Sequence, residues 1–213
     1  MRKSLVIFDC DGVLVDSEPL SNRALVDCLA LHGVAMDARE ALASFRGRKL
    51  ADCLREIEAS RGCKLPDTFE ASFRALMGKF FEAHLKPIEG IAGALERVPQ
   101  LKCVASNGPL NKTTRNLEIT GLAHHFGANV FSAYEIQKWK PEPALFLHAC
   151  AAMGSAPADT VVVEDSDSGV AAALAGGFRV LAYGMRDFRD PRIVSFLDMA
   201  ALPGLVHRLL PTK

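Results

Sequence analysis

A chain of 213 residues that is 49 % hydrophobic can bury the core of one large domain, or of one domain and a smaller companion, which excludes global disorder. Lys+Arg and Asp+Glu number 25 each, so the chain lacks the basic excess that nucleic-acid binders and polybasic membrane-surface proteins need. No apolar run approaches the ~18 residues of a membrane span, and Asp9 ends the short run after Met1-Arg2-Lys3 before it reaches signal-peptide length, so a cytoplasmic protein with neither nucleic acid nor membrane as partner is expected.

The first element is Leu5-Val6-Ile7-Phe8, a short apolar run read as a strand buried on both faces. It stops at Asp9-Cys10-Asp11-Gly12. Residues i and i+2 of an extended chain point the same way, so Asp9 and Asp11 converge beyond the strand while Cys10 turns into the core. Gly12 permits a tight turn beside them. Two carboxylates at one spot repel unless a cation joins them or one keeps its proton, which marks a metal site, an acid/base pair, or both. The six cysteines (Cys10, Cys28, Cys53, Cys63, Cys103 and Cys150) form no C-x-x-C pair and suit free thiols of a reducing compartment.

Ser17-Glu18-Pro19 is a helix-start signal, with Ser17 as the expected capping hydroxyl. Leu20, Ala24, Leu25, Cys28 and Leu29 then recur at helical spacing up to the stop at His32-Gly33. Further helices are predicted over 37–44, 49–61 and 67–85, punctuated by Gly47, Gly62 and Pro66. From Pro87 the pattern alternates: helix 90–98, strand 101–106, helix 110–120, strand 129–132, helix 141–153, strand 160–163 running into Glu164-Asp165, helix 167–175, and 178–183 as the last strand. Asn111 and Lys112 open helix 110–120 and are read as capping residues, as is Asp167 for the helix after Asp165. Repeated β-α-β units imply a parallel sheet with helices on both faces. The predicted fold is therefore α/β: a Rossmann-like core of residues 1–16 and 87–213, with an all-helical domain, 17–86, inserted after the first strand.

Ligands of such sheets sit beyond the carboxyl ends of the strands. Asp9 and Asp11, Ser106 and Asn107, Lys140, and Glu164 and Asp165 all fall on that edge. Asp9, Asp11 and Asp165 can share a hard cation such as Mg²⁺, which takes a few carboxylates, water and a phosphate oxygen. Lys140, Ser106 and the turn amides around Gly12 and Asn107 suit the remaining phosphate oxygens. A carboxylate that attacks phosphorus gives an aspartyl-phosphate, and a second carboxylate can protonate the leaving oxygen and later activate water. Lys138 competes with Lys140, but Pro141 fixes Lys140 at a helix entrance and leaves Lys138 a solvated charge. Arg46 and Arg48 lie in a basic turn between helices of the insert, read either as an ordinary surface loop or as a grip on an anionic substrate end. His124-His125 and Trp139 are read as structural.

The ordered set DxDGxxxDSE (Asp9 to Glu18), SNG (Ser106 to Gly108), KPEP (Lys140 to Pro143) and EDSxxG (Glu164 to Gly169) resembles the haloacid dehalogenase superfamily of aspartate-nucleophile phosphatases. The resemblance implies Asp9 as nucleophile and Mg²⁺ ligand. It implies Asp11 as general acid/base that lends its backbone carbonyl to the metal. Ser106 and Lys140 would bind the phosphoryl group, Asp165 would complete the metal ligands, and Glu164 would support the metal through water. The insert resembles the C1-type cap of the subgroup that holds β-phosphoglucomutase. Mutases of that subgroup carry a histidine where this chain has Ser21, which favours hydrolysis. The runs FxGxKL (Phe45 to Leu50), SNGPxNK (Ser106 to Lys112) and Phe131 to Ala149 are similar to the 6-phosphogluconate phosphatases. The expected partner is thus a small phosphorylated metabolite, a sugar phosphate or sugar-acid phosphate, acted on by a monomer or weak homo-oligomer. The alternatives are a hexose-phosphate mutase and, from another class, a phosphate-binding regulatory module without catalysis.

Overall fold

The computed structural model describes residues 3–45 and 50–210, and of residues 42–45 only the helix is described. The chain divides into two compact units, Met1–Val15 with Pro87–Lys213, and Asp16–Lys86. Among the described residues, no helix is long and apolar enough to cross a membrane.

The smaller unit is helical: α1 (Glu18–Leu31), α2 (Ala38–Phe45), α3 (Leu50–Arg61) and α4 (Phe69–His84). Leu25 and Leu29 of α1 and Phe69, Phe73 and Phe81 of α4 are buried at helical spacing, as amphipathic helices packed on one another require. The capping bond expected of Ser17 is not formed. Its backbone lies in the helical region (φ −90°, ψ −22°), whereas a hydroxyl cap needs an extended residue to turn its oxygen onto the first amides.

The larger unit holds β1 (Leu5–Phe8), α5 (Ile91–Arg97), β2 (Leu101–Ser106), α6 (Leu110–Ile119), β3 (Val130–Ser132), α7 (Ala133–Ile136), α8 (Ala144–Ala152), β4 (Thr160–Glu164), α9 (Asp167–Ala175), β5 (Arg179–Tyr183), β6 (Ile193–Phe196) and α10 (Leu202–Leu209). The strands form one sheet in the order β3-β2-β1-β4-β5-β6, with every pairing parallel. β1 is central, with Phe8 opposite Val104 on one side and Val163 on the other. All four of its side chains are fully buried, each contributing about 1.5–3 kcal/mol. Leu5 and Ile7 join Leu145, Phe146 and Ala149 of α8 and Val170 of α9 in one core, while Phe8, on the opposite face, meets the edge of Phe126. The strand order reverses at β1, so the crevice for a ligand opens beyond the carboxyl ends of β1 and β4.

Two further expectations are corrected. Residues 178–183 are not the last strand: β6 adds a sixth, pairing Ile193 with Val180 and Phe196 with Tyr183. This four-residue edge strand follows the polar run Arg186 to Arg192 and is too short for alternation to show. Backbone bonds from Val180 N to Arg192 O and from Gly184 N to Phe196 O anchor it. The helix expected over 141–153 begins only at Ala144, because Pro143 disfavours the helical conformation at the residue before it, Glu142.

Candidate active site

The carboxyl end of β1 carries the first group. Asp9 N donates to Val163 O at 3.0 Å, extending the β1–β4 ladder by one residue and fixing the Asp9 backbone. The chain then turns sharply: Gly12 N reaches Val15 O, and Leu14 and Val15 N both reach Cys10 O. Gly12 has φ +86°, and a Cβ there would overlap the Asp165 carboxylate, so the turn and the close approach both require glycine. Cys10 is fully buried on the opposite side, and burial and then Asp11 push its thiol well up, which makes it inert.

β4 supplies the second group. Glu164 is fully buried, with Oε1 accepting from Lys140 Nζ at 2.6 Å and Oε2 accepting from Asp165 N, Ser166 N and Ser166 Oγ. Ser166 Oγ accepts in turn from Gly169 N, so Ser166 caps α9 in place of the expected Asp167. Asp165, next along, is 5 % exposed.

Lys140 joins the two. Its ammonium donates to Asp9 Oδ1 at 2.5 Å and lies 4.7 Å from the centroid of the Phe146 ring. Its main-chain amide donates to Asn107 Oδ1 at 2.9 Å. Asn107, expected among the phosphate-binding amides, thus fixes the lysine with its side chain. Lys138 pairs instead with Glu142 in solvent. Ser106 is buried at the end of β2 and its Oγ accepts from Gly108 N, while Ser132 Oγ donates to Gly108 O, pinning the loop from both sides.

Carboxylate oxygens of Asp9, Glu164 and Asp165 lie within 4.8 Å of one another. Burial pushes the Asp9 carboxyl well above its usual range against the pull of Lys140, and the charges of Glu164 and Asp165 push it further. Burial disfavours the charge on Lys140 too, but Asp9 and Glu164 outweigh it and hold the ammonium above the ordinary lysine range. Asp9 and Glu164 share the Lys140 ammonium, and the Asp165 carboxylate lies beside them in the same buried space. Three hard oxygen donors gathered at one point fit a divalent cation.

The Asp11 side chain is not in this cluster. It is half-buried and accepts from Lys112 Nζ through both oxygens, at 2.9 and 2.7 Å. Lys112 was expected only to cap α6. Neither residue caps the helix: Asn111 lies inside it and accepts only from the next amide, Lys112 N, while the Lys112 ammonium reaches the end of the neighbouring strand. The overlooked signal is position: a four-carbon side chain on the first turn of a helix that directly follows β2 spans to the end of β1. Arg46 and Arg48 lie outside the described residues. His124 Nδ1 bonds Gly121 O and stacks on His125, consistent with a structural part.

A Cβ at Gly169 would overlap the Glu164 carboxylate. Gly169→Ala is therefore expected to displace the partner of Lys140 and cost about 1–3 kcal/mol, as overpacking does. A thermal melt and a phosphate-release assay should both show the loss; wild-type values in both would mean that this contact does not place Glu164.

The chain has relatives among known proteins. The haloacid dehalogenase-like hydrolase family profile matches residues 3–177. The chain is 34 % identical over 209 residues to the 6-phosphogluconate phosphatase of Escherichia coli K12, covering 96 % of this chain and 95 % of that one. It is 31 % identical to hexitol phosphatase A of the same organism, covering 85 % and 83 %. A haloacid dehalogenase-like protein of unknown function from Agrobacterium tumefaciens superposes with a TM-score of 0.84 at 28 % identity, covering 97 % and 99 %. With a family match over most of its length and phosphatases among its relatives, the chain belongs to the haloacid dehalogenase-like hydrolases and is a phosphatase of that family.

Proposed function

We propose that this chain is a Mg²⁺-dependent phosphomonoesterase for a small sugar phosphate or sugar-acid phosphate, with 6-phosphogluconate the first candidate, working through an aspartyl-phosphate. The observation that carries the reading is the buried cluster of Asp9, Glu164 and Asp165 around one lysine at the strand switch point. An Asp9 carboxylate oxygen attacks phosphorus, and the bond from phosphorus to the sugar oxygen breaks. Asp11 gives its proton to the leaving oxygen, then takes a proton from the water that attacks the phosphoenzyme, and phosphate departs as the bond to Asp9 breaks. Lys140 and the Ser106 hydroxyl hold phosphoryl oxygens, and Asn107 holds Lys140. Asp9 and Asp165, with the Asp11 carbonyl, would hold the cation, which when bound offsets phosphoryl charge. Glu164 already receives Lys140 and three donors of the β4–α9 turn, so its part is to orient.

Two of the relatives are named for a sugar-acid phosphate and for hexitol phosphates, which supports a polyhydroxy monoester as the substrate class. The helical unit is read as the cap. Its Ser21 hydroxyl contacts Met77 Sδ at 3.6 Å and offers no proton-transfer group of the histidine kind, which supports hydrolysis over mutation.

Purified protein should release phosphate from 6-phosphogluconate or a hexitol phosphate with Mg²⁺. Excess chelator should lower the rate at least roughly 100-fold, the equivalent of a few kcal/mol of lost charge stabilisation. Undiminished turnover in chelator would overturn the metal-dependent reading. Isomer in place of phosphate, from β-glucose 1-phosphate with a bisphosphate activator, would establish the mutase. A long-lived phosphorylated Asp9 without turnover would establish the regulatory module.

A further inference from the structure

The four carboxylates at this edge are sorted by two lysines. Asp9, Glu164 and Asp165 gather with Lys140, whereas the Asp11 carboxylate is held apart by both oxygens on Lys112. The two lysines differ in setting. The Lys140 side chain is 2 % exposed; those of Lys112 and Asp11 are 21 % and 30 % exposed, at the accessible border of the site. The backbone around Asp11 is fixed by its bridge to Val15 and by the Gly12 N to Val15 O bond, so the freedom left to Asp11 is that of its side chain. Lys112 comes from the first turn of α6, whose preceding loop is tied by Ser106, Ser132 and Asn107. The ammonium is thus presented from a rigid base.

We propose that Lys112 is the positioning residue for Asp11: it gathers both carboxylate oxygens at the border of the site, keeps them out of the acidic cluster, and presents the ionised carboxylate, as base, to the water that attacks the phosphoenzyme. The proposal rests on the reading of Asp11 as general acid/base. A like-charged cluster repels a fourth carboxylate, and without an anchor a two-bond side chain on a tight turn swings into solvent. The bidentate contact fixes both oxygens and so one χ2 setting, which a hydrogen bond to a single oxygen does not.

The test uses Lys112→Met and Lys112→Arg beside Asp11→Asn and the Asp11→Asn/Lys112→Met double variant, each with Mg²⁺. Lys112→Met is expected to lower kcat on a hexitol phosphate about 10–100-fold with KM changed less than about threefold, and Lys112→Arg to restore most of the loss. The burst of nitrophenolate from p-nitrophenyl phosphate, whose leaving group needs no proton, should keep its amplitude in Lys112→Met while the steady state slows. The double variant should be no slower than Asp11→Asn, because an anchor without its carboxylate has nothing to position. Additive losses, or a rise in KM alone, would make Lys112 a direct substrate contact and overturn the proposal. So would a Lys112→Met rate within threefold of wild type while Asp11→Asn is inactive. Full activity in Asp11→Asn would instead overturn the acid/base reading beneath it, so the two failures are distinguishable.

Discussion

Asp9→Asn is expected to lower phosphate release by at least roughly 10⁴-fold, the scale of losing a covalent nucleophile, while leaving the fold intact. Asparagine has the shape of aspartate, and its carbonyl oxygen can still accept from the Lys140 ammonium that now lies at 2.5 Å. Its amide does not attack phosphorus. The electrostatic change runs in the protein's favour. Asp9 is buried against Glu164 and Asp165, and burial with those two charges already pushes its carboxyl well up. A neutral amide removes one of three crowded carboxylates, and Lys140 keeps Glu164 as its partner. The melting temperature without added cation should stay within a few degrees of wild type or rise. Phosphate release and a thermal melt on the same preparation check both halves. Activity within tenfold of wild type would mean that another group attacks.

The fold was legible where burial and period agree. Leu5 to Phe8 reads as a strand because every residue is apolar, and every one is buried. Thr160 to Glu164 and Arg179 to Tyr183 read from their centres, Val161 to Val163 and Val180 to Ala182, which are apolar and buried. β6 was not legible, because an edge strand need satisfy only one neighbour. Ile193 and Val194 are half-buried and Ser195 exposed, so four residues carry neither a continuous apolar run nor an alternation. α10 was missed for a different reason: Leu202, Leu205 and Val206 are buried at helical spacing, but Pro203-Gly204 in its first turn reads as a loop signal.

At the site, the sequence identified residue types that chemistry demands and missed residues that only place others. Asp9, Glu164, Asp165 and Lys140 fall together because each ends or follows a strand of one parallel sheet. That Asn107 bonds the Lys140 backbone depends on the approach of the β2–α6 loop to the segment after α7, which no local pattern encodes. Lys112 stood beside a plausible capping asparagine, and the local explanation sufficed until the ammonium was seen on Asp11. Gly169 reads from sequence as the closing glycine of EDSxxG, but only the structure shows that its missing side chain admits the Glu164 carboxylate.

Lys140→Met should remove both activity and a large share of stability. Methionine keeps the length and packing of the stem near Phe146 but leaves the carboxylates of Asp9 and Glu164 without their ammonium in a buried site. Removing one partner of a buried ion pair costs about 3–5 kcal/mol, since the stranded charge keeps its desolvation penalty. At roughly 2–4 °C per kcal/mol for a chain of this size, the melting temperature should fall by about 6–20 °C. Phosphate release should fall roughly 10²–10³-fold or more, the scale of losing one preorganised donor to the developing charge. The two losses have separate cures. Glu164→Gln in the same chain removes one stranded carboxylate and should recover part of the melting temperature but none of the activity, because the glutamine supplies no ammonium to the phosphoryl group. Added Mg²⁺ should likewise raise the melting temperature of Lys140→Met more than that of wild type, because Asp9 and Glu164 have lost the ammonium that paired with them. A single variant that melts with wild type would show that the cluster holds its charge without Lys140, and a double variant that regains turnover would show that the lysine serves the fold alone.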